Sequence, residues 1–396
     1  MNDIVFLSGR RTPFGAFGGT LKNFTATDLG VHAAKAAIES ASIEAGDVDQ
    51  VFFGNALQTS ADAIYLARHV GLRADVPITA PALTVNRLCG SGFQAIVSGA
   101  EQIMLGHANV ALCGGAESMS MAPHMIRGAR WGDLRLGEAG QFFEDSLWAA
   151  LTDPFCGLSM AQTAEKLAEK YGVTREESDM VAFRSQQRAK DAWDTGRMAT
   201  EVAPIPVKSR KGEVMFNADE HMRPDTTMEM LSALRPYFKK DGFVTAGNAS
   251  GIGDGAAALV IASASWAAER GLKPIGRLVS WGIAGVEPDI MGIGPAPASR
   301  QALQRAGLTM DQMDLVEINE AFAPQFAAVA RELELDPEKT NVNGGAIAIT
   351  HPLAASGARI TINLLHELNR RGGKYALGSA CIGGGQGMAV VVEATR

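Results

Sequence analysis

Thr84-Val85-Asn86-Arg87-Leu88-Cys89-Gly90-Ser91-Gly92-Phe93 is the stretch from which the rest of the chain is read. An apolar, β-type run stops at Cys89, glycines follow, and over 93–105 the apolar residues recur at helical spacing, which predicts a strand-to-helix turn at Cys89. A helix N-terminus offers unpaired NH groups and partial positive charge that favour thiolate over thiol, and glycine lets a ligand approach the backbone. A small buried core thiol is the commoner fate of a lone cysteine, and the stretch by itself leaves both readings open.

Working outward, strands are expected at 4–8, 48–54, 83–88 and 110–114, with helices over 27–40, 62–71 and 93–105. Thr25 or Thr27 is available to cap the first helix. This alternation implies an α/β fold with a mainly parallel sheet covered on both faces. From about residue 123 the character changes: 127–153 has little periodicity, 160–171 and 176–195 read as amphipathic helices, and 202–206 and 214–217 flank a hairpin tip at Lys208-Ser209-Arg210-Lys211-Gly212. Residues 123–250 thus read as an insertion or lid. A strand at 256–262 and a short helix at 266–270 resume the first unit.

The second half replays the first, with strands at 275–281, 315–318, from 341, 375–379 and 388–393 and helices over 298–306, 322–332 and 356–370. Val48-Asp49-Gln50-Val51 is echoed by Met313-Asp314-Leu315-Val316, Val85-Asn86 by Val342-Asn343, and Ala111-Leu112-Cys113-Gly114-Gly115 by the region 376–384. The shared order of these weak matches implies a duplicated α/β unit with the insertion ahead of the first copy's last strand.

At 396 residues, two domains of ordinary size are expected, and 46% hydrophobic with 20% charged residues describes a fully folded chain. The formal charge of -7 argues against nucleic acid as a main partner. Cys89, Cys113, Cys156 and Cys381 show no metal-binding spacing, so a reducing compartment and core or catalytic thiols are expected, with no metal. No apolar run is long enough to span a membrane, and nothing near Arg10-Arg11 reads as a secretory signal.

Three further stretches lie where strands should end: Asn319-Glu320-Ala321-Phe322, Asn343-Gly344-Gly345-Ala346 running to Thr350-His351-Pro352, and Cys381-Ile382-Gly383-Gly384-Gly385-Gln386-Gly387. Ligands of open α/β sheets collect at the carboxyl ends of strands, so Cys89, Asn319, His351 and Cys381 form one candidate constellation. Singly, Asn319 reads as a helix cap, His351 as a turn histidine and Cys381 as a core thiol. Together they supply a nucleophile, an amide, a base and a second thiol, the parts acyl transfer needs.

These stretches, with Asn248-Ala249-Ser250-Gly251, resemble the signatures of the thiolases in family order and over essentially the whole chain. Glu144-Asp145-Ser146-Leu147-Trp148 and Met291-Gly292-Ile293-Gly294-Pro295 resemble the degradative 3-ketoacyl-CoA thiolases of mitochondrial type. The resemblance implies a five-layered αβαβα fold of two duplicated domains, 1–122 with 251–272 and 273–396, with a loop domain over 123–250 covering a CoA site. It implies that Cys89 is acylated, His351 activates it and Cys381 is the acid/base thiol. Asn319, through a water, and His351 would form one oxyanion hole, and the NH groups of Cys89 and Gly383 the other. Expected CoA contacts are Met160, Arg223, Leu234, Phe238, Ala246, Ser250, Met291 and Phe322.

The implied reaction is CoA-dependent cleavage of 3-ketoacyl-CoA, with CoA as co-substrate, no bound cofactor, CoA thioesters as ligands, and a homodimer or homotetramer in the cytoplasm or, in a eukaryote, the mitochondrial matrix. Alternatives are a biosynthetic acetoacetyl-CoA thiolase, a related condensing or thioesterase enzyme, and an impaired CoA or lipid binder. Ser159, where biosynthetic thiolases commonly have His, leans toward degradation. Thr350 and Ala354 stand where the thiolase pattern has Gly, so a narrowed acyl pocket, a tilted imidazole or a strained backbone is expected there. A competing class is dinucleotide binding, since Gly90-Ser91-Gly92-Phe93-Gln94-Ala95 fits G-x-G-x-x-A with Glu117 downstream.

Overall fold

The computed structural model describes residues 3–132, 143–209 and 212–395. Strand β1 (Ile4–Arg11) leads to helix α1 (Ala26–Ser40), started by a capping box in which Thr25 Oγ1 accepts from Asp28 N and the Asp28 carboxylate accepts from Thr25 N. Strands β2 (Gln50–Gly54) and β3 (Ala82–Val85), helix α2 (Ser91–Met104) and strand β4 (Val110–Ser118) complete the first pass. The lid follows, with α3 (Met160–Tyr171), α4 (Arg175–Asp194) and a hairpin of Ile205–Ser209 against Gly212–Phe216. Of the expected hairpin tip, Arg210 and Lys211 lie outside the described residues. The chain returns as β5 (Gly253–Ser263), and the second half runs β6 (Gly276–Gly285), α5 (Pro295–Ala306), β7 (Leu315–Ile318), α6 (Ala323–Glu332), α7 (Ser356–Arg371), β8 (Tyr375–Ile382) and β9 (Gln386–Glu393).

These strands lie in one sheet ordered β7-β8-β9-β6-β1-β5-β4-β2-β3, the halves meeting where residues 4–6 of β1 pair with 276–278 of β6. Thr340 bridges to Val316 on the outer side of β7. With Thr340 standing in for a third strand, both halves have the same strand order, which is the duplication the sequence echoes suggest.

The sheet is mixed, against the expectation of a mainly parallel one. β2 runs parallel to β3 and β4, and β7 to β8, whereas the β4–β5, β5–β1, β1–β6, β6–β9 and β9–β8 pairs are antiparallel. The lid leaves β4 at its carboxyl end and re-enters beside that end, so β5 must run back. The tight turn 383–385 leaves β9 no other direction than antiparallel. The strand expected from residue 341 is absent, because Asn341 and Gly344 adopt φ +49° and +79° and break the extension.

Strand alternation sorts side chains into layers. Phe52, Cys113, Leu259 and Ile261 face inward onto α2, while Phe53, Leu112 and Val260 face α1 on the other side. Met388, Val390 and Val392 meet α7 in the same central core as Phe93 and Ile96 of α2, and Ala389 and Val391 turn outward to α5 and α6. The sequence of layers is α1, sheet, α2 with α7, sheet, α5 with α6. The lid is fastened from below: the fully buried Arg11 of β1 donates to Glu201 and to both oxygens of Asp219. At its neck, Ser118 and Asp254 are register partners, and Ser120 N and Oγ both donate to the Asp254 carboxylate.

Candidate active site

Cys89 occupies the short turn Leu88–Gly90 between β3 and α2. Leu88 holds φ +47° there, with its N donating to Asn86 Oδ1 at 3.0 Å. Ser91 Oγ accepts from Arg87 N at 2.8 Å and donates to Leu88 O at 2.7 Å, closing the turn. The turn predicted from the sequence is therefore present, although β3 stops at Val85. The favoured thiolate is not: enclosure pushes the Cys89 thiol up to about 12, the charge of Glu117 adds to the rise, and the NH groups of Cys89 and Gly383 oppose it without overcoming it. Cys89 rests as a thiol.

His351 is buried at the end of the run from Asn343, and its Nδ1 lies 2.6 Å from Ser356 Oγ. Ser356 Oγ donates to Pro352 O at 2.9 Å, so it accepts from Nδ1–H, and this network assigns the lone pair to Nε2. Burial and then nearby Arg359 push the imidazole down to about 3, so it is neutral. Its Nε2 is 3.2 Å from Asn319 Nδ2. Asn319 is fixed at the end of β7 by donating its N to Ser379 O at 2.8 Å, and its buried Oδ1 has no protein partner among the described residues. Phe322, rather than Asn319, precedes α6. Ser356 was missed in the sequence, where its only signal is a hydroxyl five residues after a candidate base.

Cys381, near the end of β8, is wholly buried against Met160, Met291, Ala321 and Phe322. Burial first, and the Cys89 sulfur second, push its thiol far up. Gly383 follows on the turn, where an added Cβ would sit 3.1 Å from Leu88 and 3.2 Å from Met160 Sδ. One predominantly apolar cavity is lined by Cys89, His351, Met160, Phe238, Ser250, Met291 and Phe322, joined by Met119 and Trp148, which sequence reasoning did not single out as ligand contacts. Arg223, Leu234 and Ala246 are exposed and do not line it.

Glu117, the acid of the dinucleotide alternative, is committed elsewhere. Its carboxylate accepts from Asn55 Nδ2 at 3.0 Å, Ala56 N at 3.1 Å, Leu57 N at 2.9 Å and Ala354 N at 3.1 Å. Burial, against the pull of those backbone donors, pushes it up to about 7. Gly92 faces α7, where a Cβ would lie 2.5 Å from Ala358 N, so the glycine allows helix–helix contact. Neither feature remains for a pyrophosphate or ribose.

Thr350 and Ala354 are buried and are not part of the lining of this cavity, which includes their neighbours His351 and Leu353. The expected strain is present at Thr350, with φ +81° and ψ 169°. Among the described residues no group of three or more His, Cys, Asp or Glu side chains is placed to hold a metal ion.

The family description for the thiolase N-terminal domain matches residues 4–265, and that for the thiolase C-terminal domain matches 272–394. The human mitochondrial 3-ketoacyl-CoA thiolase is 56% identical over 395 residues, covering 100% of this chain and 99% of the relative. Beta-ketothiolase BktB of Cupriavidus necator is 50% identical over 99% of both chains. The crystal structure of the human mitochondrial enzyme in complex with CoA superposes with a TM-score of 0.97 at 56% identity, covering 100% of this chain and 98% of that one. The chain belongs to the thiolase family.

Proposed function

We propose that this protein is an acetyl-CoA C-acyltransferase that cleaves 3-ketoacyl-CoA with CoA, through an acyl group carried on Cys89. The observation that carries the reading is the neutral His351, whose Nε2 carries the lone pair and lies 3.2 Å from Asn319 Nδ2, lining the same apolar cavity as the Cys89 thiol. The Cys89 proton passes to His351 as sulfur attacks the ketone carbon. The bond between C2 and C3 breaks, and its electron pair departs as the enolate of acetyl-CoA. Cys381 S–H then protonates C2, and acetyl-CoA leaves. In the second half-reaction the Cys381 thiolate takes the proton of incoming CoA, whose sulfur attacks the acyl carbonyl, and Cys89 departs and regains its proton from His351.

Charge on oxygen is met twice. The NH groups of Cys89 and Gly383, which already face the Cys89 sulfur, receive the tetrahedral oxygen. His351 and a water held on Asn319 Oδ1 receive the enolate oxygen, each donor worth about 3 kcal/mol. Met160, Phe238, Ser250, Met291 and Phe322 contact CoA inside the cavity, and Arg223, Leu234 and Ala246 contact it along the exposed lid. Condensation is the same path reversed.

The domain division proposed here, 1–122 with 251–272, 123–250 and 273–396, is supported by the lid leaving after β4 and returning before β5. A homodimer or homotetramer is supported by the outer edge of β3, which pairs with no further strand among the described residues and where Leu83 is half exposed near Ile78 in sequence. Four free thiols fit the cytoplasm or a mitochondrial matrix, and no helix among the described residues is long and apolar enough to cross a membrane.

Incubation with 3-ketoacyl-CoA substrates in the absence of CoA is expected to leave an acyl mass on the Cys89 peptide, and Cys89→Ala to abolish CoA-dependent cleavage. An unmodified Cys89 with undiminished cleavage by Cys89→Ala would refute the reading.

A further inference from the structure

The turn that carries His351 is bound to the segment on which Ser250 lines the cavity. Gly251 O receives two hydrogen bonds from it, His351 N at 3.0 Å and Thr350 Oγ1 at 2.6 Å. The same segment also holds the Asn319 loop, since Ser250 N donates to Ala321 O at 3.0 Å and Ala249 bridges to Phe322. Residues 249–251 therefore carry, on one short stretch of backbone, attachments to both the His351 turn and the Asn319 loop.

Thr350 is the strained member of this arrangement. A β-branched side chain at φ +81°, ψ 169° occupies a region that glycine tolerates and other residues avoid. Thr350 N donates to Ala346 O at 2.9 Å, and two side-chain contacts add to the hold. Its Oγ1 is tied to Gly251 O, and its side chain fills the space over Gly253, where an added Cβ would come within 2.5 Å of Oγ1 and 2.8 Å of Cγ2. Gly251 is walled on its other side by the His221 ring, 2.6 Å from where a Cβ would stand. The tie has little room to shift without moving His351 N with it.

We propose that Thr350 is a positioning residue for His351: its hydroxyl holds a backbone conformation that its own branched side chain disfavours, and so fixes the imidazole relative to the Ser250 segment. The proposal rests on His351 acting as the base of the reaction above. Because the hydroxyl orients the base without touching substrate, its loss acts on turnover more than on binding.

The test compares Thr350→Ser, Thr350→Val and Thr350→Gly in the full chain, reading kcat, KM, the rate of Cys89 alkylation by iodoacetamide, and Tm. Serine keeps the tie and is expected to retain kcat within about 2-fold. Valine keeps the branch and loses the tie, and is expected to lower kcat about 10- to 50-fold with KM within about 3-fold, Cys89 alkylation slowing in parallel. Glycine removes strain and tie together, and is expected to melt above the valine variant and to turn over faster than it. Should valine not fold, Thr350→Ala, which keeps a Cβ at positive φ without a hydroxyl, takes its place. Equal kcat and alkylation rates for the serine variant and the valine or alanine variant, whatever their Tm, would overturn the proposal. A wild-type protein without thiolysis would instead refute the function on which it rests.

Discussion

The two halves share a strand order and differ in what they place at the strand ends. At the end of β4 the first half has Glu117, a buried carboxylate whose oxygens are occupied by Asn55, Ala56, Leu57 and Ala354. Toward the end of β8 the second half has Cys381, a buried thiol with apolar neighbours and Cys89 close by. One end is a fastener and the other, in the function proposed above, a proton carrier. After duplication, corresponding strand ends can hold the site together in one copy and react in the other, and Cys89 alone is the first half's share of the chemistry proposed here.

Substitutions at these positions sharpen or break that contrast. Cys381→Ala is expected to lower kcat for thiolysis about 10³-fold, within the range for a positioned acid–base group, while Cys89 remains open to alkylation. A loss below tenfold would deprive the second half's strand end of its reactive role. Asn319→Ala should cost about 10²-fold in kcat with KM little changed, as for one oxyanion donor. A matching rise in KM would instead mark Asn319 as a general substrate contact.

Glu117→Gln should have the smallest effect on turnover, under tenfold, and should register in stability. The carboxyl group is pushed up to about 7 in the fold from an ordinary 4.5, so the folded state keeps a proton that the unfolded state has released. Its contribution is complete below about pH 4.5 and is lost as pH rises through 7. The Tm gap between wild type and variant is therefore widest at about pH 4.5 and below and narrows toward pH 8. A gap that widens with pH would show the charged carboxylate to be the stabilising form.

Periodicity made α3 legible to the residue and most other elements to within a few positions, because each buries a continuous apolar face. Strand direction was not legible, since it depends on where the lid re-enters and on the turn 383–385, and neither leaves a periodic trace. The strand expected from 341 failed for a local reason, positive φ at Asn341 and Gly344 outweighing an apolar pattern. At the site, residue types and strand ends brought Cys89, His351, Asn319 and Cys381 together as candidates. The protonation of Cys89 escaped the same reasoning because it reflects enclosure by distant segments, whereas a helix terminus is visible in sequence. Ser356 escaped because serine near a turn is too common to signal an imidazole partner.

The neck of the lid bears on how such a protein can diverge. The insertion departs after Ser118 and is back in register at Asp254, two residues already joined as neighbours in the sheet. Apart from 249–251, which hold the His351 turn and the Asn319 loop, residues between them can lengthen, shorten or be exchanged while the entrance and exit stay a single strand spacing apart, at a cost that grows only with the logarithm of loop length. Descendants can thus acquire new acyl preferences by remodelling the canopy, with the machinery underneath inherited unaltered.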